Sequence, residues 1–248
     1  MNESPFHRFH LQGHKRSIST FAARGRTLVS GSSDGCVRVW DIITGECKWI
    51  FIGKDDLGLL FLSPLSSLAA LMPHPYLVIS VVLDPTRNIA CSCSSSDHTV
   101  RIWDLNTGTE RFSLTGHTSR VNQLQLYGSY LASESSDSTR IWNTDTGKMK
   151  HTLAVRFPFQ HNESKLLSGS GGIVQIWDLS DGSVIRNLQL PDEAVGVGGI
   201  AFDDRWCAVV YHQPGPSVMH VWDFGKEVVE NKDGTKEVRD VPDCIEEP

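Results

Sequence analysis

The chain has 248 residues, 40% of them hydrophobic and 21% charged, with 21 glycines, seven tryptophans and a formal net charge of −6. Such a composition excludes a disordered, collagenous or coiled-coil chain, and the acidic balance excludes nucleic-acid binding driven by a basic surface. The length accommodates one large domain or two small ones, and abundant glycine and tryptophan suit short strands joined by tight turns.

In chain order, five segments repeat one pattern: Val37–Asp41 (VRVWD), Val100–Asp104 (VRIWD), Thr139–Asn143 (TRIWN), Val174–Asp178 (VQIWD) and Met219–Asp223 (MHVWD). Each alternates apolar and polar positions, the period of a half-buried strand. Three follow a small-residue turn ending in Asp34, Asp97 or Asp137, and before that turn comes another strand-like run, such as Thr27–Ser30 or Tyr130–Ser133. Four are followed by a Thr-Gly or Asp-Gly turn (Gly45, Gly108, Gly147, Gly182) and a further short strand, and a Gly-His pair stands at Gly13-His14 and Gly116-His117.

These segments resemble the repeats of the WD40 family, whose fold is a β-propeller of four-stranded blades. The resemblance implies an all-β chain of about five blades, over 14–52, 80–115, 116–154, 155–190 and 195–224. It implies a partial or irregularly closed ring, with 8–12 as a strand that would complete the last blade and remove its edge. In such repeats a histidine hydrogen-bonds the turn aspartate while a serine and the tryptophan N–H extend the network. That assigns His14, Ser30, Asp34 and Trp40 to one structural quartet and His117, Ser133, Asp137 and Trp142 to another.

The repeat also breaks. Successive Trp spacings are 63, 39, 35 and 45 residues, against a usual period of roughly 40–45. The long first gap holds 57–83, a run without any Asp, Glu, Lys or Arg. Its prolines and His74 interrupt it, and a membrane span there would tear a blade apart, so 54–79 is read as an irregular apolar insertion. Gly53-Lys54 stands where Gly-His belongs, a pair that GGTAAG, which contains a splice-donor-like string, can encode. A retained intron over about 54–78 is the expectation. The short third gap leaves no room for a Gly-His and a full first strand, and Gly171 replaces the turn aspartate, so the fourth blade should be the weakest. From 225 to 248 there are four basic and eight acidic residues, which reads as an acidic, disordered tail.

Gly31–Gly35 matches the G-x-S-x-G nucleophile elbow, but the elbow needs a strand-to-helix turn and here strands flank it on both sides. Ser, His and Asp recur at the spacing of the structural quartet, not as a catalytic triad. No P-loop, dinucleotide fingerprint or H-E-x-x-H occurs, and the six cysteines show no C-x-x-C pair. Expected, then, are no enzymatic activity, no cofactor and no metal. Without a signal-peptide pattern at the start, reduced thiols and a cytoplasmic or nuclear location are expected.

What remains is surface. The loops after each Gly-His carry Lys15, Arg16 and Arg120, a cationic rim suited to phosphorylated or acidic peptide segments through charge-assisted hydrogen bonds. Segments such as Thr44–Trp49, Ser80–Arg87, Leu114–Ser119, Ser136–Trp142, Phe202–Cys207 and Val221–Gly225 resemble the C-terminal repeats of fungal F-box/WD-repeat proteins of the cell-division-control type. The resemblance implies a substrate receptor of an SCF ubiquitin ligase, of which this chain would be the second half. No F-box precedes the first repeat, so ligase components would be partners only if an F-box is supplied elsewhere. At the positions that resemblance assigns to degron-binding arginines stand Ser19, Asn122, Ser33, Ser96 and Ser136. Alternative readings are a WD40 scaffold unrelated to ubiquitination and a non-functional truncated copy. Neither nucleic acid nor membrane is an expected partner.

Overall fold

A computed structural model describes residues 10–51, 77–154, 158–170, 172–203, 205–230 and 236–240, the last two strands by their backbone alone. Every regular element among them is a β-strand. The chain divides into two compact units, Met1–Ala154 and Val155–Pro248, which are taken in turn.

In the first unit, β1 (Ile18–Arg24), β2 (Thr27–Ser32), β3 (Val37–Asp41) and β4 (Cys47–Phe51) form one antiparallel sheet. The second sheet is β5 (Val78–Asp84), β6 (Ile89–Ser94), β7 (Val100–Asp104) and β8 (Thr109–Leu114). The third is β9 (Val121–Tyr127), β10 (Tyr130–Ser135), β11 (Thr139–Asn143) and β12 (Met149–Leu153). All three are up-and-down blades, as the alternation in each Trp-Asp strand requires.

The carboxylate of the Trp-Asp pair explains how each blade turns into its fourth strand. Asp41 Oδ1 accepts from the Ile43 and Thr44 amides at 2.9 and 3.3 Å. Asp104 repeats this with Asn106 and Thr107 at 2.8 and 3.1 Å, and Asn143 with Asp145 and Thr146 at 3.0 and 2.9 Å. These are Asx turns, and each closes on a glycine at positive φ: Gly45 (74°), Gly108 (70°) and Gly147 (66°). A side chain there would be strained.

Neighbouring blades stack face to face. Val29, Val37, Val39 and Phe51 of the first blade pack against Val78, Val81, Leu83, Ala90 and Trp103 of the second. Val100, Ile102 and Leu114 of the second pack against Val121, Leu124, Leu131 and Trp142 of the third. Arg87, on the β5–β6 turn, clamps the second blade to the third: its guanidinium donates to the Gly128 carbonyl, to Asp145, and to Thr144 Oγ1 at 2.8 Å. Arg87→Ala is expected to cost about 1–2 kcal/mol, the range for hydrogen bonds from a charged donor, in urea titrations at unchanged m-value.

In the second unit, β13 (Phe159–His161), β14 (Lys165–Ser170), β15 (Ile173–Asp178) and β16 (Val184–Gln189) form a four-stranded sheet. Its first strand has only three residues, in keeping with the short Trp spacing. β17 (Gly196–Phe202), β18 (Trp206–His212) and β19 (Val218–Asp223) form a three-stranded sheet with β19 at its edge. Leu167, Val174, Ile176 and Leu188 of the fourth blade pack against Cys207, Val209 and Tyr211 of the fifth.

Three boundaries differ from the sequence reading. β5 starts at Val78, so the insertion does not reach 79; Val78 pairs with Ser94, and Ile79 lies at the register shift before Ser80↔Cys93. Of the intron reading over about 54–78, the stretch 54–76 lies outside the described residues. The segment 225–248 is not wholly irregular: β20 (Lys226–Glu230) and β21 (Lys236–Asp240) pair antiparallel. Their register sets Val228 opposite Val238 and opposite charges at Lys226↔Asp240, Glu227↔Arg239 and Glu230↔Lys236, pairings that favour a ladder. Of the proposed closing strand 8–12, His10–Gln12 lie in no strand and the other two residues are outside the described ones.

Candidate functional site

The structure brings both predicted quartets together. In the first blade, His14 Nε2 lies 2.8 Å from Ser30 Oγ, and the Trp40 indole N–H donates to the same oxygen at 2.8 Å. His14 Nδ1 lies 3.1 Å from Asp34 Oδ2. Asp34 also accepts from the Lys15 amide at 2.7 Å and the Cys36 amide at 3.0 Å. In the third blade, His117 Nδ1 lies 2.8 Å from Asp137 and its Nε2 2.7 Å from Ser133 Oγ, which accepts from Trp142 at 2.8 Å. Only one proton arrangement satisfies every partner of a neutral imidazole. Nδ1–H donates to the carboxylate, Nε2 accepts from the serine hydroxyl, and the serine oxygen accepts from the indole.

Ser, His and Asp thus stand in the order of a hydrolase triad. The chemistry does not follow. Ser30 is 2% exposed and Ser133 fully buried, so no substrate reaches either hydroxyl. The serine lone pair that a nucleophile would use is engaged by the tryptophan N–H. What the network does is fix loops: through the Lys15 and Thr118 amides, each aspartate pins the segment just after its histidine.

Electrostatics agree with that role. Burial opposes ionisation of Asp34 and Asp137, but the amide and histidine hydrogen bonds outweigh it and hold both carboxyls below their ordinary range. Burial lowers the pKa of His117 more than Asp137 raises it, so the ring is neutral at pH 7. Both glycines of the Gly-His pairs lie against an arginine side chain, which would have to shift for any larger residue, and Gly116 has φ 138°. A Cβ on Gly13 would stand 2.8 Å from Arg38 Nη1, and one on Gly116 would collide with the Arg140 guanidinium.

The other blades carry less of the network. Trp103 donates to Ser92 at 2.8 Å and Trp177 to Ser168 at 3.0 Å. In the fifth blade the ladder position of the serine is Val209, opposite His220 as Ser30 is opposite Arg38. Trp222 there stacks on His220 at 4.8 Å. A residue the sequence reading missed is His74. It precedes Val78 by four residues, as His14 precedes Ile18 and His117 precedes Val121; that fixed offset was the available signal, and His74 itself lies outside the described residues.

The candidate rim residues sit on the pinned loops. Lys15, Arg16 and Arg120 are exposed, and among the described residues none of their side chains makes a hydrogen bond or ion pair. Ser33 donates its hydroxyl to the Ser17 carbonyl of the first of these loops, and Ser96 and Ser136 are exposed in the equivalent turns of the second and third blades. Ser19 is committed elsewhere: its hydroxyl lies between the carbonyls of Gly31 and Val78, across the first two blades. Among the described residues no group of three or more His, Cys, Asp or Glu could hold a metal, and no helix is long and apolar enough to cross a membrane.

Comparison with known proteins gives the same repeats. The family model described as "WD domain, G-beta repeat" matches residues 5–41 and 65–104. The second match begins inside the stretch read as an insertion and takes in His74. Over 250 residues, 90% of this chain, the sequence is 27% identical to cell division control protein 4 of Saccharomyces cerevisiae, covering 29% of that protein. It is 31% identical to the WD repeat-containing protein pop1 of Schizosaccharomyces pombe, over 87% of this chain and 42% of that one. It is 33% identical to the F-box/WD repeat-containing protein sel-10 of Caenorhabditis elegans, over 49% and 22%. The chain thus spans less than half the length of these relatives. The crystal structure of the computationally designed Ika8 protein superposes with a TM-score of 0.52 at 22% identity, over 86% of this chain and 73% of that one, a likeness of fold alone. Four of the five sheets carry a Trp-Asp strand and one a Trp-Asn strand; with two complete His-Ser-Asp-Trp networks, the chain carries WD40 repeats and is similar over 90% of its length to cell division control protein 4 of Saccharomyces cerevisiae.

Proposed function

We propose that this WD40 scaffold binds phosphorylated or acidic peptide segments through the loops bearing Lys15, Arg16 and Arg120, as the substrate-recognition part of an SCF-type ubiquitin-ligase receptor. One observation supports the reading: three exposed cations that have no ion-pair partner among the described residues lie on loops whose Lys15 and Thr118 amides are pinned by Asp34 and Asp137. A preorganised cationic loop meets a phosphate without first ordering itself. No catalytic role is assigned, since the Ser-His-Asp groups are buried. Ligase components would join through an F-box supplied elsewhere, and the five free thiols among the described cysteines suit a cytoplasmic or nuclear setting.

Fluorescence anisotropy with paired phosphorylated and unphosphorylated acidic peptides tests this. The phosphorylated peptide should bind more tightly, and Arg16→Glu with Arg120→Glu should weaken it at least about tenfold, the equivalent of 1.4 kcal/mol. Equal binding by the double variant overturns the peptide site. Binding intact but no co-purification with F-box adaptor proteins favours a WD40 scaffold outside ubiquitination.

A further inference from the structure

The fourth strands of the first two blades share a task that the fourth blade leaves undone. In the first blade Trp49 completes the rung Val29↔Val39↔Trp49. Its ring reaches the second blade: it packs with Val29, Val39, Leu83 and Leu105, and its N–H donates to the Leu105 carbonyl at 2.8 Å. Phe112 holds the same rung in the second blade, opposite Ile102. It reaches the third blade, where a Cβ on Gly147 would stand 2.6 Å from its ring. Each aromatic ring thus closes the slot between two neighbouring sheets at the end where the Asx turns lie.

In the second unit the corresponding rung is Leu167↔Ile176↔Arg186, and a cation stands where the ring belongs. The slot between the fourth and fifth sheets is left as an open cavity of about 190 Å³, walled by Leu167 and Ile176 on one side and Phe202 and Phe224 on the other. It is the same slot. Phe202 shares a rung with Trp222 as Leu83 does with Trp103, and Phe224 and Leu105 each follow the aspartate of a Trp-Asp pair. Lys165 and Arg186 border the opening.

We propose that this slot binds an acidic peptide segment by one aromatic side chain, with carboxylates on either side of that residue meeting Lys165 and Arg186. The chain's own packing names the anchor, since an aromatic ring fills the slot in the first two blades. The volume agrees: an apolar cavity of about 150 Å³ takes up benzene. Charge names the flanks. Among the described residues neither the Lys165 nor the Arg186 side chain makes a hydrogen bond or ion pair. Asp203, also at the opening, is engaged by its own turn, where Oδ1 accepts from the Arg205 and Trp206 amides at 2.8 and 2.6 Å. Lys165 stands two residues before Leu167, and Arg186 lies two strands across from it, so sheet spacing sets their Cα atoms roughly 12 Å apart. Two acidic residues four apart in an extended peptide span about 13 Å. They can reach both cations by charge-assisted hydrogen bonds. This inference does not rest on peptide binding at Lys15, Arg16 and Arg120, which belong to the first unit.

Isothermal titration of the full chain with the end-blocked peptide Glu-Ala-Phe-Ala-Glu tests it. Binding is expected, and it should weaken at least about tenfold when the peptide phenylalanine becomes alanine or both glutamates become lysine. Lys165→Glu should weaken it about tenfold. Arg186→Trp supplies the missing ring from the chain itself, as Trp49 does, and should abolish binding while raising the thermal midpoint. If that variant fails to fold, the unaltered chain and Lys165→Glu still decide. Binding should persist in the Arg16→Glu, Arg120→Glu double variant; its loss there assigns the peptide to the rim and overturns this site. So does the absence of binding by the unaltered chain, equal binding of the alanine or lysine peptide, or binding that Lys165→Glu or a folded Arg186→Trp leaves unchanged.

Discussion

Trp103→Ala should destabilise the first unit by about 3–5 kcal/mol, the range for truncating a large buried aromatic. The indole is fully buried and stacks on Phe51 of the preceding blade with ring centroids 4.7 Å apart and planes 1° apart. Its loss opens a cavity between two blades, bordered by Val29, Val39 and Val81, and removes the N–H that Ser92 accepts. Strand backbones on both sides are held by their own ladders, so the site cannot collapse to fill the space. Trp103→Phe separates the two contributions. It keeps most of the packing and loses the hydrogen bond, at an expected cost of about 1–2 kcal/mol. Urea midpoints at constant m-value report both. A loss below about 1 kcal/mol for the alanine variant would show that the stacked pair is not what holds the blades together.

Much of this architecture is legible in sequence because its determinants are local. A third strand ending in Trp-Asp announces itself by alternation, and the Asx turn after it by aspartate and glycine at fixed offsets. The quartets were legible for the same reason: His14 and Asp34 are 20 residues apart, as are His117 and Asp137. The β20–β21 hairpin was hidden because summed charge erases order; Lys-Glu-Val and Val-Arg-Asp count as acidic and polar in a sum, whatever register pairs their backbones. His74 was hidden inside an apolar run whose length drew the eye from its offset to Val78. The exposure of Phe21 and Val221, against buried Val81 and Ile102, could not be read at all. Phe21 and Val81, or Val221 and Ile102, are equivalent in the pattern, and only the neighbour in space decides which is covered.

Acid should destabilise the protein in two stages, and Asp137→Ala should deepen the first. Burial lowers the folded pKa of His117 below the ordinary histidine value of 6.5, so the unfolded chain takes up a proton that the folded chain resists. Stability from that ring is present above about pH 6.5 and is lost as pH falls through it. Asp34 and Asp137 have folded pKa values lowered from 3.8. Their contribution is present above that value and is lost as pH falls toward the folded pKa. Urea midpoints should therefore decline between pH 7 and 5, and again below 4. Asp137→Ala removes the acceptor of the His117 Nδ1–H and of the Thr118 amide. The imidazole side chain is 0% exposed and finds no water in exchange, so the cost at pH 7 should be about 2–3 kcal/mol. The carboxylate is also what raises the His117 pKa against burial. Without it the folded pKa drops further, and the loss between pH 7 and 5 grows. Asp137→Asn keeps an acceptor and loses the charge; it should be milder at pH 7 while showing the same steeper decline. A wild-type stability flat from pH 7 to 5 would mean that folding leaves the His117 pKa unshifted; stability that rises as pH falls through that range would mean that His117 carries its proton in the folded state and that the network is an ion pair instead of a neutral relay of donors and acceptors.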